Sequence, residues 1–408
     1  MTNSFDVITV GGGAAGLFAA AQCARSGKNT ALFERNAECG KKLDITGKGR
    51  CNLTNDCGRD EFLANVPVNP RFLTGAITRF SPRDTVEFFE SLGVKTKVER
   101  GRRVFPQSDR AHDITQALVD ECRRRGVKFI RGKVTSVRAE NGKVEGVVCG
   151  GVFYAARTVI LCTGGASYPR TGSDGNGYAL ASSLGHTVTK IRPSLVPLVS
   201  GDKLCRDSMG LSLKNVGVSL FSKSGKELYC EQGEMLFTHF GVSGPCVLSA
   251  SAYAGGNFPC TLKIDLKPAL DEKTLDRRIL RDFGEKSNRE LKNALGGLLP
   301  QKLIAPFIER SGIDPRTPVN SVTKEQRAKL VSLFKSLEIN ISGTRPIAEA
   351  IITSGGVSVK EIDPRTMESK LVKGLRFAGE IIDVDAYTGG YNLQIAFSTA
   401  YVAACGDE

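Results

Sequence analysis

The chain has no tryptophan and only three histidines among its 408 residues. No apolar run reaches the roughly 18 residues needed to cross a membrane. The N-terminus does not read as a signal peptide, because Asp6 interrupts it and glycine fills it from Gly11 on. No two of the twelve cysteines stand in CxxC spacing, which disfavours a zinc ribbon or a thioredoxin-type dithiol. There is no internal repeat and no low-complexity tract. Together these absences predict a cytoplasmic protein with free thiols, no membrane partner and no metal.

What remains is ordinary globular material. Hydrophobic residues make up 41% and charged residues 24%, as in a soluble domain with a large core. Glycine is enriched at 45 residues, and the net charge is +13. An excess of that sign favours an acidic partner or an anionic cofactor.

The first 34 residues carry the clearest pattern. Phe5–Val10 reads as a buried parallel strand. A glycine-rich turn and an alanine-rich helix to Ser26 follow, closed by Gly27. Asn29–Phe33 reads as a second strand ending at Glu34. Residues 37–60 are polar and glycine-rich, without helical or strand periodicity. Residues 82–92 and 112–125 read as helices, and Val127–Val137 with Lys143–Tyr154 as a hairpin. Thr158–Leu161 is another buried strand. From about Ile191 short alternating stretches predict an antiparallel sheet or small barrel, and residues 271–335 have helical spacing.

Gly11, Gly13 and Gly16 form GxGxxG after a strand and at a helix start, with an acidic residue 18 positions further on. In that context the pattern predicts a dinucleotide site. Gly11 permits the tight turn, and Gly13 lets the backbone approach a pyrophosphate at the helix N-terminus. Gly16 lets helix pack on strand. Glu34 can accept ribose hydroxyls and would repel a 2′-phosphate, which disfavours NADP here. No second GxGxxG follows a mid-chain strand, so a dedicated nicotinamide domain is absent from the plan. The CxxxxC pair of disulfide-reducing flavoenzymes is also missing.

The run Gly40–Asn55 (GKKLDITGKGRCNLTN) closely resembles the signature of the BaiN/RdsA-like, or YhiN-type, family of NAD(P)/FAD-dependent oxidoreductases, which is related to aminoacetone oxidase-like flavoproteins. Arg102–Ser108, Cys162–His186, Phe237–Pro245, Thr353–Val357, Thr366–Lys370 and Gly379–Ala404 agree with it, so the resemblance spans essentially the whole chain. One departure is Ala386, where glycine is expected. The resemblance implies an α/β fold with a Rossmann-like FAD-binding domain in two segments, 1–190 and 350–408. It also implies a β-rich domain at 191–265 and 336–349 and a helical domain at 266–335.

The resemblance further implies non-covalent FAD and allots residues to it. Gly11, Gly13, Ala14, Ala15, Gly16 and Glu34 would serve the adenosine and pyrophosphate end, and Arg35 and Val134 would also bind the cofactor. Lys42, Thr46, Gly47, Gly49, Arg50, Cys51 and Asn52 would line the ribityl chain and isoalloxazine, with Thr163 and Gly164 nearby. Gly379, Glu380 and Asp383 would cap the ribityl or pyrophosphate part. Gly390, Tyr391, Asn392 and Leu393 would start a helix aimed at the flavin. Such a helix terminus favours negative charge on the reduced ring.

Cys51 and His239 are the candidates for catalysis. A thiol beside the flavin could donate the proton that follows hydride transfer, although a small buried cysteine also packs well. His239 lies in a Gly/Pro-bounded loop. His186 reads as a helix-end residue, capping or exposed, and His112 as a helix-start residue. Tyr391 reads as packing on the flavin.

Basic residues cluster at Lys95–Arg103 and Arg123–Lys133. The bland reading is solvated faces and the sharper one a phosphate-tracking surface, although no RRM or KH motif is present. The expected activity is reduction of an activated C=C bond by hydride from flavin N5, with NAD(P)H as a transient donor. The substrate would be a uridine of large-subunit rRNA or a small enone such as a steroid. An oxygen-dependent amine oxidase and a flavin-carrying RNA-binding protein without turnover stand as alternatives.

Overall fold

The computed structural model describes Asn3 to Gly406. The chain divides into two compact units, Met1–Ser194 with Ile347–Glu408, and Leu195–Pro346.

In the first unit, β1 (Ser4–Val10), α1 (Ala14–Arg25) and β2 (Thr30–Glu34) form in the predicted order. β1 pairs in parallel with β2 on one side and with the strand Val152–Leu161 on the other. A parallel sheet is covered on both faces, which is why these strands are apolar runs and not alternating ones. The strand Leu375–Phe377, from the far end of the chain, adds in parallel to Val159–Leu161. The terminal helix Tyr391–Cys405 packs on α1, with the Phe18 and Phe397 rings 5.4 Å apart. The first unit is thus completed by both chain segments.

Three local expectations change. The polar stretch 37–60 contains a short helix, Lys41–Ile45, followed by a tight turn at Thr46–Gly49. The expected hairpin arm Val127–Val137 is two strands. Lys128–Arg131 pairs in parallel with β2, and only Val134–Glu140 forms the antiparallel hairpin with Lys143–Cys149. Gly132, whose added Cβ would lie 2.3 Å from Cys149 Sγ, marks the break. Finally, Val152–Leu161 is one long strand that is antiparallel to its hairpin neighbour and parallel to β1.

The second unit has a seven-stranded antiparallel sheet. Its end strands, Leu337–Ile341 and Gly343–Thr344, are joined by the single residue Ser342. The sheet must therefore curl round on itself. The helices Glu272–Gly284, Gln301–Ser311 and Lys324–Lys335 belong to the same unit. Thr323 closes a capping box on the last of them, and Asp271 caps the first.

Candidate functional site

The glycine loop is built as the spacing requires, but each glycine has its own reason. Gly11 has φ +106°, and a Cβ there would lie 2.5 Å from the Cys162 carbonyl oxygen. A Cβ on Gly16 would lie 1.8 Å from the Gly11 oxygen. A Cβ on Gly13 would meet no atom within 4 Å. Gly11 and Gly16 thus serve packing within the protein, while Gly13 borders open space at the start of α1. No side chain caps that helix start.

Glu34 ends β2 and turns back to the loop. Its Oε2 accepts from Gly12 N at 2.7 Å and its Oε1 from Asn36 N at 2.7 Å. Each oxygen keeps a lone pair for a ribose hydroxyl. Arg35 is paired with Asp174 at 2.6 Å, and Asn36 Nδ2 donates to the Thr171 carbonyl. The end of β2 is thereby tied to the loop that follows the Cys162–Gly165 segment. Val134 is buried, and its carbonyl accepts from Asn176 Nδ2 at 3.3 Å.

A second cluster joins distant parts of the chain. Lys42, on the short helix, donates to Glu380 Oε2 at 2.6 Å and to Ser167 Oγ at 2.7 Å. Glu380 Oε1 accepts from Thr353 N at 2.8 Å and Ser167 Oγ at 3.0 Å. Thr353 Oγ1 in turn accepts from the N–H groups of Ala166 and Ser167. Burial pushes the Glu380 carboxyl up, but the charge and hydrogen bond of Lys42, with Thr353 and Ser167, outweigh it. The net result lies below the usual carboxylate range. Ser167 and Thr353 were not singled out from the sequence. They lie in Cys162–His186 and Thr353–Val357, and only the fold shows that both serve Glu380.

The turn at 46–52 is unusual backbone. Gly47, Lys48 and Gly49 all have positive φ, and so does Cys51 at +57°. Lys48 and Cys51 are non-glycine residues in a conformation that costs roughly 1–2 kcal/mol each, a pattern that marks ligand-facing loops. Thr46 Oγ1 donates to Leu43 O, and the Thr46 carbonyl accepts from Cys51 N. At the other end, Gly379 (φ +76°) touches α1, since its Cβ would lie 2.9 Å from that of Ala15. Its N–H donates to Thr399 Oγ1. Gly390 (φ +100°) begins the terminal helix, also with no side-chain cap, and a Cβ there would strike Thr54.

The fit to FAD is tested by what these groups leave unmet. Asn52 Oδ1, Thr163 Oγ1 and the Tyr178 hydroxyl are buried and have no hydrogen-bond partner among the described residues. Buried polar atoms are rarely left so, unless a ligand or water completes them. α1 and the terminal helix both start on glycine without a capping side chain, leaving N–H groups for an anionic group. The open space at Gly13 and the free lone pairs of Glu34 complete a set of donors and acceptors suited to an extended dinucleotide.

The model of the HI0933-like protein Rossmann domain matches residues 5–406. The chain belongs to that family. It is an FAD-dependent oxidoreductase by this membership. A 3-dehydro-bile acid delta(4,6)-reductase of Clostridium scindens is 33% identical over 406 residues, covering 97% of each chain. A ribosomal RNA dihydrouridine synthase of Haemophilus influenzae is 34% identical over 411 residues, covering 99% of this chain and 98% of the relative. Among solved structures, the 3-ketosteroid delta1-dehydrogenase of Sterolibacterium denitrificans superposes with a TM-score of 0.54 at 14% identity, covering 99% of each chain. That likeness concerns the fold.

The remaining expected residues of this HI0933-like chain fare differently. Arg50 is engaged by Glu99 and by Asp109 (2.5 Å) and lies 4.2 Å from the Phe105 ring centre. Its charge is met within the protein. Gly164 (φ +72°) approaches Ser173. The Asp383 carbonyl accepts from Asn69 Nδ2, and burial raises its carboxyl. Tyr391 packs edge-on to Phe62, with ring centres 5.1 Å apart. Asn392 clamps the preceding loop, accepting from Ala386 N and donating to the Ala386 and Tyr387 carbonyls. Leu393 packs on the core. Ala386 does not adopt a positive φ, so alanine is accommodated there without strain.

His239 sits exposed in the turn Thr238–Gly241 of the second unit, against Phe240, whereas the other expected site residues lie in the first. His186 corrects its expectation: it is buried, not capping or exposed. Its Nε2 lies 2.8 Å from Ser369 Oγ, its Nδ1 3.3 Å from Glu361, and its ring edge meets Phe377. Burial lowers its pKa despite Glu361. His112 occupies the first turn of Ala111–Arg124, exposed, 3.4 Å from Asp44.

Cys51 is fully buried, and burial pushes its thiol up to about 12. Such a thiol stays protonated and unreactive at neutral pH. Alkylation of the native protein should therefore label the exposed Cys230 first and leave Cys51 untouched. Peptide mass spectrometry after a brief iodoacetamide pulse checks this, and early labelling of Cys51 would contradict its burial.

Proposed function

We propose that this chain reduces a C=C bond conjugated to a carbonyl, with a uridine of large-subunit ribosomal RNA as substrate and NAD(P)H as transient electron donor. The supporting observation is the similarity over nearly the full length, at 33% and 34% identity, to two relatives whose activities both concern such a bond. Dihydrouridine is uridine with its ring C=C saturated, and a delta(4,6)-reductase acts on a conjugated double bond. The net charge of +13 favours the ribosomal RNA reading over the small enone, because a phosphate backbone gains from it at every contact.

Bound FAD supplies the hydride, from N5 of the reduced flavin. The chain's own residues hold and orient. Glu34, the glycine loop and the start of α1 would take the adenosine and pyrophosphate. Thr163, Asn52 and the Lys42–Glu380 pair would meet the ribityl and flavin portions, and the terminal helix start would favour negative charge on the ring. In this reading the FAD domain comprises residues 1–190 and 350–408. The β-rich segments 191–265 and 336–349 and the helical segment 266–335 supply the substrate side, His239 included. A catalytic role for Cys51 is disfavoured, because a thiol pushed up to about 12 is a poor proton donor near neutral pH.

Mass spectrometry of rRNA nucleosides from cells with and without the gene tests the substrate. Loss of one dihydrouridine on deletion is the expected result. Unchanged rRNA, together with NAD(P)H-dependent reduction of a steroid enone by the purified protein, would move the assignment to the small-molecule branch. Peroxide formation from a small amine would move it to the oxidase branch.

A further inference from the structure

The first unit holds another buried polar cluster that the cofactor assignment leaves unused. Asp385 lies between the Gly379 turn and the terminal helix and is 1% exposed. Neither of its carboxylate oxygens has a hydrogen-bond partner among the described residues, and nor has Ser194 Oγ, also 1% exposed as a residue. Ser194 and Ser354 come from the paired strands Arg192–Ser194 and Ile352–Ser354. Ser194 stands opposite Ile352 and Arg192 opposite Ser354, so both serines project from one face of this ribbon.

The carboxyl is held in place from both sides. Asp385 forms a backbone bridge with Val68, Asn69 binds the Asp383 carbonyl, and Asn392 clamps Ala386. A fixed, buried carboxylate with empty oxygens is costly, and such a site relieves the cost by taking a proton or a bound water. Burial pushes Asp385 up to about 6. The charges of Asp383 and Glu380 act in the same direction, while the Ser194 and Ser354 hydroxyls, near the carboxylate but outside hydrogen-bond geometry, hold it down. Of the other packed elements, the ribbon face also carries Arg192, the terminal helix start brings only Tyr391, and Val68–Asn69 brings no ionisable group.

We propose that Asp385, with Ser194 and Ser354, is a proton-holding site coupled to the flavin: it takes up one proton when two electrons enter the cofactor and returns it when they leave. The proposal rests on FAD binding as read above. In the forward direction the carboxylate gains a proton from solvent, forming one O–H bond, while the nicotinamide donor supplies the electron pair. When the substrate then takes the electron pair as hydride, that O–H bond breaks and the proton returns to solvent. A negative charge added within the same buried segment raises the carboxyl's proton affinity by on the order of tenfold.

The test is the reduction potential of the FAD-loaded protein as a function of pH, for wild type and Asp385→Asn. Below about pH 6 the two should share a slope. Over roughly the next pH unit the wild type should take up about half a proton more per two electrons, and the variant should not. Parallel lines throughout would overturn the proposal. If the variant fails to fold or load, reduced-minus-oxidised infrared spectra of wild type and Ser194→Ala decide. A protonated-carboxyl band that grows on reduction and shifts in the serine variant supports the proposal, and its absence from wild type overturns it. A purified protein that never holds FAD refutes the cofactor reading, whereas a loaded protein with parallel slopes refutes only the role of Asp385.

Discussion

Gly13→Val will give a folded protein that no longer retains FAD, and Gly16→Val will give one that barely folds. Both residues belong to the same six-residue motif, yet their surroundings differ. A Cβ at Gly13 meets nothing, so the fold loses little when a side chain is added. The added isopropyl group occupies the space beside the α1 start, where a pyrophosphate must approach the backbone. Flavin absorbance after purification should drop at least tenfold while the melting transition stays within a few degrees. At Gly16 the added Cβ would sit 1.8 Å from the Gly11 oxygen. Backbone must move to relieve that contact, at a cost of about 3 kcal/mol or more. A Gly13→Val protein that stayed yellow would remove the loop from the FAD site. A Gly16→Val protein as stable as wild type would refute the close packing of α1 on the loop.

The second large effect belongs to Lys42 and Glu380. Their side chains are 23% and 20% exposed, so water does little to replace a lost partner. Lys42→Met should destabilise by about 2 kcal/mol, less than for a fully buried pair, because it strands a carboxylate that also anchors Thr353 and Ser167. Lys42→Met combined with Glu380→Gln should recover part of that loss, since no uncompensated charge remains. Glu380 has a lowered pKa in the folded state, so its contribution is present above the ordinary value near 4.3 and fades as pH falls through the folded value. Urea titrations at neutral and acid pH measure both effects. If the double variant were no better than Lys42→Met, charge pairing would not be the source of the stability.

These expectations also show where the sequence was informative. The β1–α1–β2 unit was legible because its signals are local: an apolar run, glycines at fixed offsets, alanines, then an acid. The helix Lys41–Ile45 was not legible. It is five residues long and starts on Gly40 with a φ of +75°, so no periodicity could develop. Lys128–Arg131 looks like part of a hairpin in the sequence because only Gly132 and Lys133 separate it from the true hairpin strand, while its partner, β2, lies about a hundred residues earlier. The burial of His186 is illegible in the sequence for a similar reason. Its partners Glu361 and Ser369 lie more than 170 residues downstream, and nothing near it in the chain announces its burial. The Lys42–Glu380 pair was singled out residue by residue through resemblance, but the supporting Ser167 and Thr353 emerge only when four segments meet.

The parallel addition of Leu375–Phe377 beside Val159–Leu161 has a consequence for synthesis. Roughly 210 residues separate the two partners. At about 5–20 residues per second, ribosomes need on the order of 10–40 s to make the second after the first. During that interval the exposed flank of the long strand and the apolar face of α1 wait without their covering helix. The intervening unit, Leu195–Pro346, has all its strands in hand before the last segment emerges. The nascent chain thus finishes its middle first and closes its beginning last, with the unpaired strand edge as its point of exposure to chaperones and aggregation.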